Sequence, residues 1–117
     1  MKTDTIIQRI RNTGLPYTEI EFQGTIETPF PQLPYIVYIK PLIEEDKSDD
    51  GAVYIRRVKM AIELYTDRTP EEVLEKKIEE EVLKDIEYKK YQTKIENEDI
   101  TQTAYEFSII EKGKING

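Results

Sequence analysis

The chain of 117 residues contains neither cysteine nor histidine. The lack of cysteine excludes a disulfide bond, a thiolate nucleophile and a cysteine-ligated zinc ion. The lack of histidine removes the commonest general base, the commonest metal ligand and every histidine-containing catalytic triad. No apolar run approaches the ~20 residues that span a bilayer, and residues 1–14 lack the long apolar stretch of a signal peptide. We therefore expect a soluble intracellular domain that is not an enzyme.

The charge of the chain is strongly and unevenly negative. The net charge is −7, and residues 1–40 contribute none of it because their four basic and four acidic side chains balance. An acidic chain is repelled by nucleic acid unless a local basic stripe overcomes the mean. The one compact basic group is Arg56, Arg57 and Lys59, and strand alternation places Arg56 on the opposite face from the other two. The composition therefore argues against nucleic acid as a partner.

The amino-terminal third predicts a short helix, a weak strand and a connector. Isoleucines at positions 6, 7 and 10 form one apolar stripe on a helix over residues 4–13, and Gly14 stands where helices often end in a left-handed residue. Residues 17–22 alternate weakly and predict an edge strand. The proline-rich residues 23–34 predict an extended connector.

The middle of the chain predicts a β-hairpin with a long acidic tip. Residues 35–40 are β-branched or aromatic until the lysine, which is typical of a strand, and Pro41 favours an edge position or a bulge. Residues 44–51 are acidic and polar, and predict the loop of the hairpin. Residues 52–65 alternate strictly, so one side should face the core. The apolar side consists of Val58, Met60, Ile62 and Leu64.

The remainder predicts a second helix and a second hairpin. Thr69 and Pro70 are typical of a helix start, and apolar residues recurring every four positions carry that helix to about Asp85. Residues 88–96 and 101–110 alternate and predict two paired strands. The buried side of the last strand should consist of Thr103, Tyr105, Phe107 and Ile109.

The order of these elements predicts a single α+β domain over residues 1–112. It should have a mostly antiparallel sheet of four or five strands, with two helices packed on one face. Residues 113–117 should form a polar carboxy-terminal tail that frays.

No local pattern predicts a catalytic, cofactor or metal site. Asp46, Ser48, Asp50 and Gly51 match the first half of a calcium-binding EF-hand loop, but the position of its bidentate glutamate is occupied by Arg57. The carboxylates of residues 79–81 fan out around a helix and cannot converge on one substrate. We expect a solvated hairpin tip and a solvated helix surface.

The first strand of the predicted hairpin is apolar on both faces. Tyr35, Val37 and Ile39 share one face, and Ile36 and Tyr38 share the other. Such a strand needs a cover on each side, and two helices on one face supply only one. The second cover is either the proline-rich connector or another subunit.

The chain resembles small tail-completion proteins of long-tailed phages and prophages of Gram-positive bacteria. The resemblance lies in three predicted strand segments and in the acidic amphipathic helix between the second and the third. The segments are residues 33–38 (LPYIVY), 61–67 (AIELYTD) and 103–109 (TAYEFSI). These proteins are similar to lambda-type tail terminators and their head–tail joining relatives. The likeness spans most of residues 1–111, and its motifs are structural rather than catalytic.

The resemblance implies a structural subunit of the virion tail, assembled in the bacterial host cytoplasm. It would form a ring with itself, typically a hexamer, that caps the tail tube and contacts tail-tube and head–tail connector proteins, without a cofactor. We place the subunit interface on the hairpin, with the acidic tip projecting toward a neighbour, the lumen or a tube subunit. The hypothesised interface residues are Tyr35, Tyr38, Tyr54 and Arg57 on the strands, and Glu44, Glu45, Asp46, Asp49 and Asp50 at the tip.

The alternative is a non-enzymatic binding module, such as a prophage-encoded adaptor. It would use the same tyrosine-rich strand face for one cellular partner, since tyrosine is enriched at protein interfaces.

Overall fold

The computed structural model describes residues 2–20, 32–49, 53–67, 70–95 and 99–114. This part of the chain contains two helices and five strands. They are α1 (Thr3–Asn12), β1 (Tyr17–Ile20), β2 (Tyr35–Asp49), β3 (Val53–Asp67), α2 (Glu72–Lys77, continued by a π-helical turn at Ile78–Val82), β4 (Lys89–Ile95) and β5 (Ile100–Lys114).

The five strands form one sheet in the order β1-β2-β3-β5-β4. The pair β1–β2 is parallel, and the other three pairs are antiparallel. The predicted α+β fold, with its mostly antiparallel sheet, is confirmed. The weak first strand lies at the edge of the sheet, as predicted.

Both helices pack on the same face of the sheet, which we call the inner face. Strand alternation sends one apolar row of each central strand to this face, and the rows predicted for β3 and β5 are both buried there. Helix α1 also contacts β5 through the Thr3 amide, which donates a hydrogen bond to Glu111 Oε1 at 3.2 Å. The buried core consists of Ile6, Ile10, Ile36, Tyr38, Val58, Met60, Ile62, Leu64, Ile78, Val82, Leu83, Tyr105, Phe107 and Ile109.

The second helix is shorter than predicted at both ends. It begins at Glu72 rather than at Pro70, since Glu71 has an extended backbone; the predicted cap Thr69 lies outside the described residues. It ends with a π-type bond from the Leu83 amide to the Ile78 carbonyl at 2.9 Å. Asp85 then has a φ of +61°, a left-handed conformation that stops a helix.

The prediction of an acidic loop at residues 44–51 is wrong for the part that the structure describes. Strand β2 continues through Asp49, which pairs with Val53 at the start of β3. Asp46 and Ser48 therefore lie in an extended ladder, whose backbone does not wrap around an ion as a calcium-binding loop does. The polar composition of this segment suits an exposed strand as well as a loop, and periodicity could not separate the two.

The predicted tail also begins too early. Strand β5 runs to Lys114, and its last residues pair with β3 as far as Val53 opposite Lys114. Residues 115–117 lie outside the described residues. The polar residues that suggested a tail include the last two residues of this strand.

Strand β2 carries the irregularity that Pro41 predicted. The register with β3 shifts between Ile39 and Leu42, and again between Ile43 and Glu45. Proline cannot donate to a ladder, so a bulge at this position is expected.

The amino-terminal half of β2 is buried on both faces. Ile36 and Tyr38 face the core beneath the helices, while Tyr35 and Val37 lie on the outer face and are 5% and 1% exposed. The ring of Tyr35 stacks on that of Tyr65 of β3, with centroids 5.0 Å apart. This outer region is therefore covered within the single chain. The connector considered as its cover lies, for residues 23–31, outside the described residues.

Candidate subunit interface

The sheet narrows from five strands to three along its length. Strand β1 pairs with β2 only as far as Ile39, and β4 pairs with β5 only as far as Glu106. Beyond these points β2, β3 and β5 continue together. We call this part, residues 42–49, 53–59 and 107–114, the three-stranded extension.

The extension makes the subunit long. The principal-axis extents are 54 × 30 × 22 Å, and the radius of gyration is 15.8 Å. A compact domain of this length has a radius of gyration of about 13 Å. The seven residues from Val53 to Lys59 alone span roughly 20 Å at the usual strand rise.

Large apolar side chains are exposed on the extension. Leu42, Ile43, Ile55 and Ile110 are 45%, 51%, 40% and 44% exposed. Ile55 and Ile110 lie diagonally across the β3–β5 ladder, so they are neighbours on the outer face. Exposed apolar groups that cluster in this way are typical of protein–protein interfaces.

Cationic side chains accompany Leu42, Ile55 and Ile110 on the outer face. The ladder places Ile110 opposite Arg57, and Leu42 opposite Lys59. A groove of about 430 Å³ opens here, at the base of the extension and beside the start of β4. Its lining includes Arg57, Lys59, Lys89, Glu87, Glu106 and Ser108.

Two of the predicted interface residues are buried within the subunit. Tyr35 and Tyr38 are 5% and 7% exposed, and burial, followed by the nearby Glu19 carboxylate, raises the pKa of Tyr38 to about 12. These side chains offer almost no surface to a partner, so we remove them from the interface hypothesis. Because β2 is covered on both faces here, aromatic residues that suggested an interface serve as core.

The other predicted residues lie on the extension or outside the described part. Arg57 is exposed on β3. The tip residues Glu44 to Asp49 lie in β2, where Glu45 is opposite Arg57 and Asp46 is opposite Arg56. Tyr54 is opposite Ser48 in the same ladder. Asp50 lies outside the described residues.

A polar network beneath α2 was not predicted from the sequence. Lys90 of β4 places its Nζ 2.7 Å from Glu75 Oε1 and 2.8 Å from Glu79 Oε2. The Tyr105 hydroxyl donates to Glu79 Oε2 at 2.8 Å, and the Tyr88 hydroxyl donates to Glu79 Oε1 at 3.2 Å. The interpretation of Glu79 as a solvated surface carboxylate is therefore wrong.

The network also holds Glu75, which is only 6% exposed. Its Oε2 accepts a hydrogen bond at 3.3 Å from Gln92 Nε2, which in turn donates to Thr103 Oγ1 at 3.0 Å. A buried carboxylate is tolerated only when it is paired and hydrogen-bonded. The spacing of Glu75 and Glu79, four residues apart and in step with buried Ile78 and Val82, is the signal that could have placed them on the inner side of the helix.

The titration of the network follows from its contacts. Burial raises the pKa of the Glu79 carboxyl, but hydrogen bonds from Lys90 and Tyr105 and the charge of Lys90 outweigh it, so the pKa lies below its ordinary value. Burial acts to lower the pKa of Lys90, yet its bonds to Glu75 and Glu79 raise it overall. Burial, then the bond to Glu79, raises the pKa of Tyr105. These shifts favour the ionised Glu79 carboxylate, the protonated Lys90 and the neutral Tyr105 hydroxyl, which are the forms that bond the helix to the sheet.

Within the described residues, no group of three or more carboxylates lies together as a metal site would require. Neither α1 nor α2 has the length and apolar character needed to cross a bilayer, and the described part of the chain contains no other helix.

No protein-family model matches the chain, and no curated protein shows a significant match to it.

Proposed function

We propose that the protein is a structural tail terminator or head–tail joining subunit of a phage or prophage, and that it assembles into a ring capping the tail tube. Its partners are copies of itself, the tail-tube protein and head–tail connector proteins. The resemblance of the three strand segments to tail-completion proteins supports this class of protein, and the α+β fold is compatible with it.

The three-stranded extension is the observation that carries the proposal. It places exposed apolar residues and cations on a part of the sheet that β1 and β4 do not flank. A ring subunit needs a surface of this kind, because each copy must contact two neighbours through different patches. A domain that acted alone would gain nothing from a projecting apolar strand surface, which favours aggregation.

The adaptor alternative is less well supported by the structure. It depended on the tyrosine-rich face of β2, where Tyr35 and Tyr38 are now seen to be buried. An adaptor would have to use the extension instead, and the ring proposal already accounts for that surface.

The test is assembly with a tail-tube protein, which the proposal requires to be encoded in the same phage or prophage. The chain is purified, mixed with tubes of that protein and imaged by negative-stain electron microscopy. We expect rings at one end of each tube, and a mass near six times 13.8 kDa by light scattering as the concentration rises, with and without magnesium. Tubes with bare ends would contradict the proposal.

A further inference from the structure

Strand β4 leaves the longer of the two sheet edges open. It is the last strand in the sheet order, and among the described residues it pairs with β5 alone. Its residues 89–94 are all exposed. The strand at the other edge, β1, has four residues, whereas β4 has seven. The free side of an edge strand carries amide and carbonyl groups that can pair with a further strand.

The open edge of β4 lacks two of the features that prevent strand addition. Natural proteins guard an edge with proline, with a bulge or with charge. Residues 89–95 contain no proline, and their register with β5 runs without a shift along the whole strand. The groups on the free side therefore keep the regular spacing that a second strand needs.

The third feature, charge, is reduced by contacts within the subunit. Lys90 forms ion pairs with Glu75 and Glu79 at 2.7 and 2.8 Å. Lys89 lies directly opposite Glu106 of β5. Two of the three lysines of the strand thus have an acidic neighbour in their own copy, which leaves Lys94, opposite Thr101, as the charge that an added strand must accommodate.

The sequence of β4 matches itself when it is read in the opposite direction. With Thr93 opposite the same threonine of a second copy, Tyr91 lies opposite Ile95, and Gln92 lies opposite Lys94. Aromatic–β-branched and threonine–threonine pairs stabilise antiparallel strands, and no two lysines within residues 91–95 lie directly opposite each other in this register. Tyr91 is 49% exposed in the single subunit, so the pairing also covers an apolar ring.

We propose that two copies of the chain join edge to edge through β4, paired antiparallel about Thr93. The two sheets of five strands then form one continuous sheet, with the helices of both copies on the same side. The contact uses the same residues on each copy, so it produces pairs rather than a ring. It lies at the helix-covered end of the sheet and does not involve the three-stranded extension, so this inference does not rest on the proposed function.

Cross-linking tests the register of the pair. The chain has no native cysteine, so single variants can be joined to themselves with a short bis-maleimide. Thr93→Cys places the two thiols about 5 Å apart at their Cβ atoms and should give the most covalent dimer. The matched control is Lys89→Cys, on the same face of the same strand, where the register separates the two copies by roughly 27 Å. It should give several-fold less product, and Tyr91→Cys should give an intermediate yield.

Hydrogen exchange tests the pairing without a cross-linker. The β4 amides that point away from β5 should exchange more slowly as the protein concentration rises, whereas those of β1 should not change. Thr93→Lys sets two like charges directly opposite each other and should lower the association constant about fivefold. Thr93→Val is its matched control, since it keeps an uncharged β-branched pair and should retain the protection. Circular dichroism establishes that each variant is folded.

Two results would overturn the proposal. More covalent dimer from Tyr91→Cys or Lys89→Cys than from Thr93→Cys would exclude the register about Thr93. Exchange of the β4 amides at the same rate at every concentration would exclude the pair itself, whether or not the protein forms rings on tail tubes.

Discussion

The two ends of the sheet differ in what covers them. At the helix-covered end the sheet has five strands, and β2 is buried on both faces. In the three-stranded extension the same strands carry four exposed large apolar side chains. Burial of apolar surface stabilises a fold, and its exposure favours association. The comparison teaches that the same three strands supply buried core at one end and exposed apolar surface at the other.

The largest expected effect is a difference between two isoleucines of β3. Ile62 is fully buried at the helix-covered end, so Ile62→Ala should lower the free energy of unfolding by roughly 2–5 kcal/mol. Ile55 is 40% exposed on the extension, and Ile55→Ala should cost less than about 1 kcal/mol. Urea unfolding measures both, and equal losses would show that the extension is as much a part of the folding core as the covered end.

The next effect tests how α2 is held at the covered end. Lys90→Met leaves Glu75 and Glu79 without their shared cation and should cost about 1–3 kcal/mol, because buried acceptors lose a charged partner. Lys94→Met on the same strand is the matched control. Lys94 is exposed and forms no ion pair among the described residues, so its replacement should stay within about 0.5 kcal/mol. Similar losses of unfolding free energy for the two variants would contradict the view that the network holds α2 on the sheet.

The pH dependence of stability tests the contribution of Glu79 to the same network. The folded-state pKa of Glu79 lies below its ordinary value of 4.5, so its stabilising contribution is complete above that value and is lost as the pH falls through the folded pKa. Unfolding of Glu79→Gln should therefore differ from the unchanged protein most at neutral pH, by about 1 kcal/mol, and converge with it in acid. Glu80→Gln, at an exposed carboxylate of the same helix, should give a small difference at every pH. A gap for Glu79→Gln that persists in acid would contradict this assignment.

The smallest effect on folding is expected at the hairpin end, where the effect should appear in assembly instead. Replacement of Asp46, Asp49 and Asp50 by asparagine should leave the free energy of unfolding within about 0.5 kcal/mol. If the acidic residues contact cations of a neighbouring copy in the proposed ring, salt weakens the self-association of the unchanged protein, and the triple variant has a shallower salt dependence. Sedimentation at several salt concentrations measures this. Association that strengthens with salt would indicate that the acidic ends repel one another.

The fold could be predicted where pattern and burial agree. The alternation of β3 and β5, Gly14 after α1 and the bulge near Pro41 each have a local cause, and each was confirmed. The length of β2 could not be predicted, because residues 44–49 contain no apolar residue whose alternation would mark them as a strand.

The candidate site could be predicted less well from the sequence, because the same residue types suit a buried and an exposed position. Tyrosine suits both a core and an interface, so Tyr35 and Tyr38 were placed at the surface when they are buried. The inward position of Lys90 depends on which face of β4 meets α2, and its alternation with Tyr91 is compatible with either. Tertiary contacts decide both cases.

The two register shifts in β2 bear on the behaviour of the protein in concentrated solution. Consecutive bulges increase local twist and interrupt the regular spacing of donors and acceptors along a strand. A strand so distorted is a poor template for the indefinite stacking that builds fibrils. We therefore expect a substitution of Pro41 that straightened β2 to increase the tendency of the protein to form amyloid-like fibres.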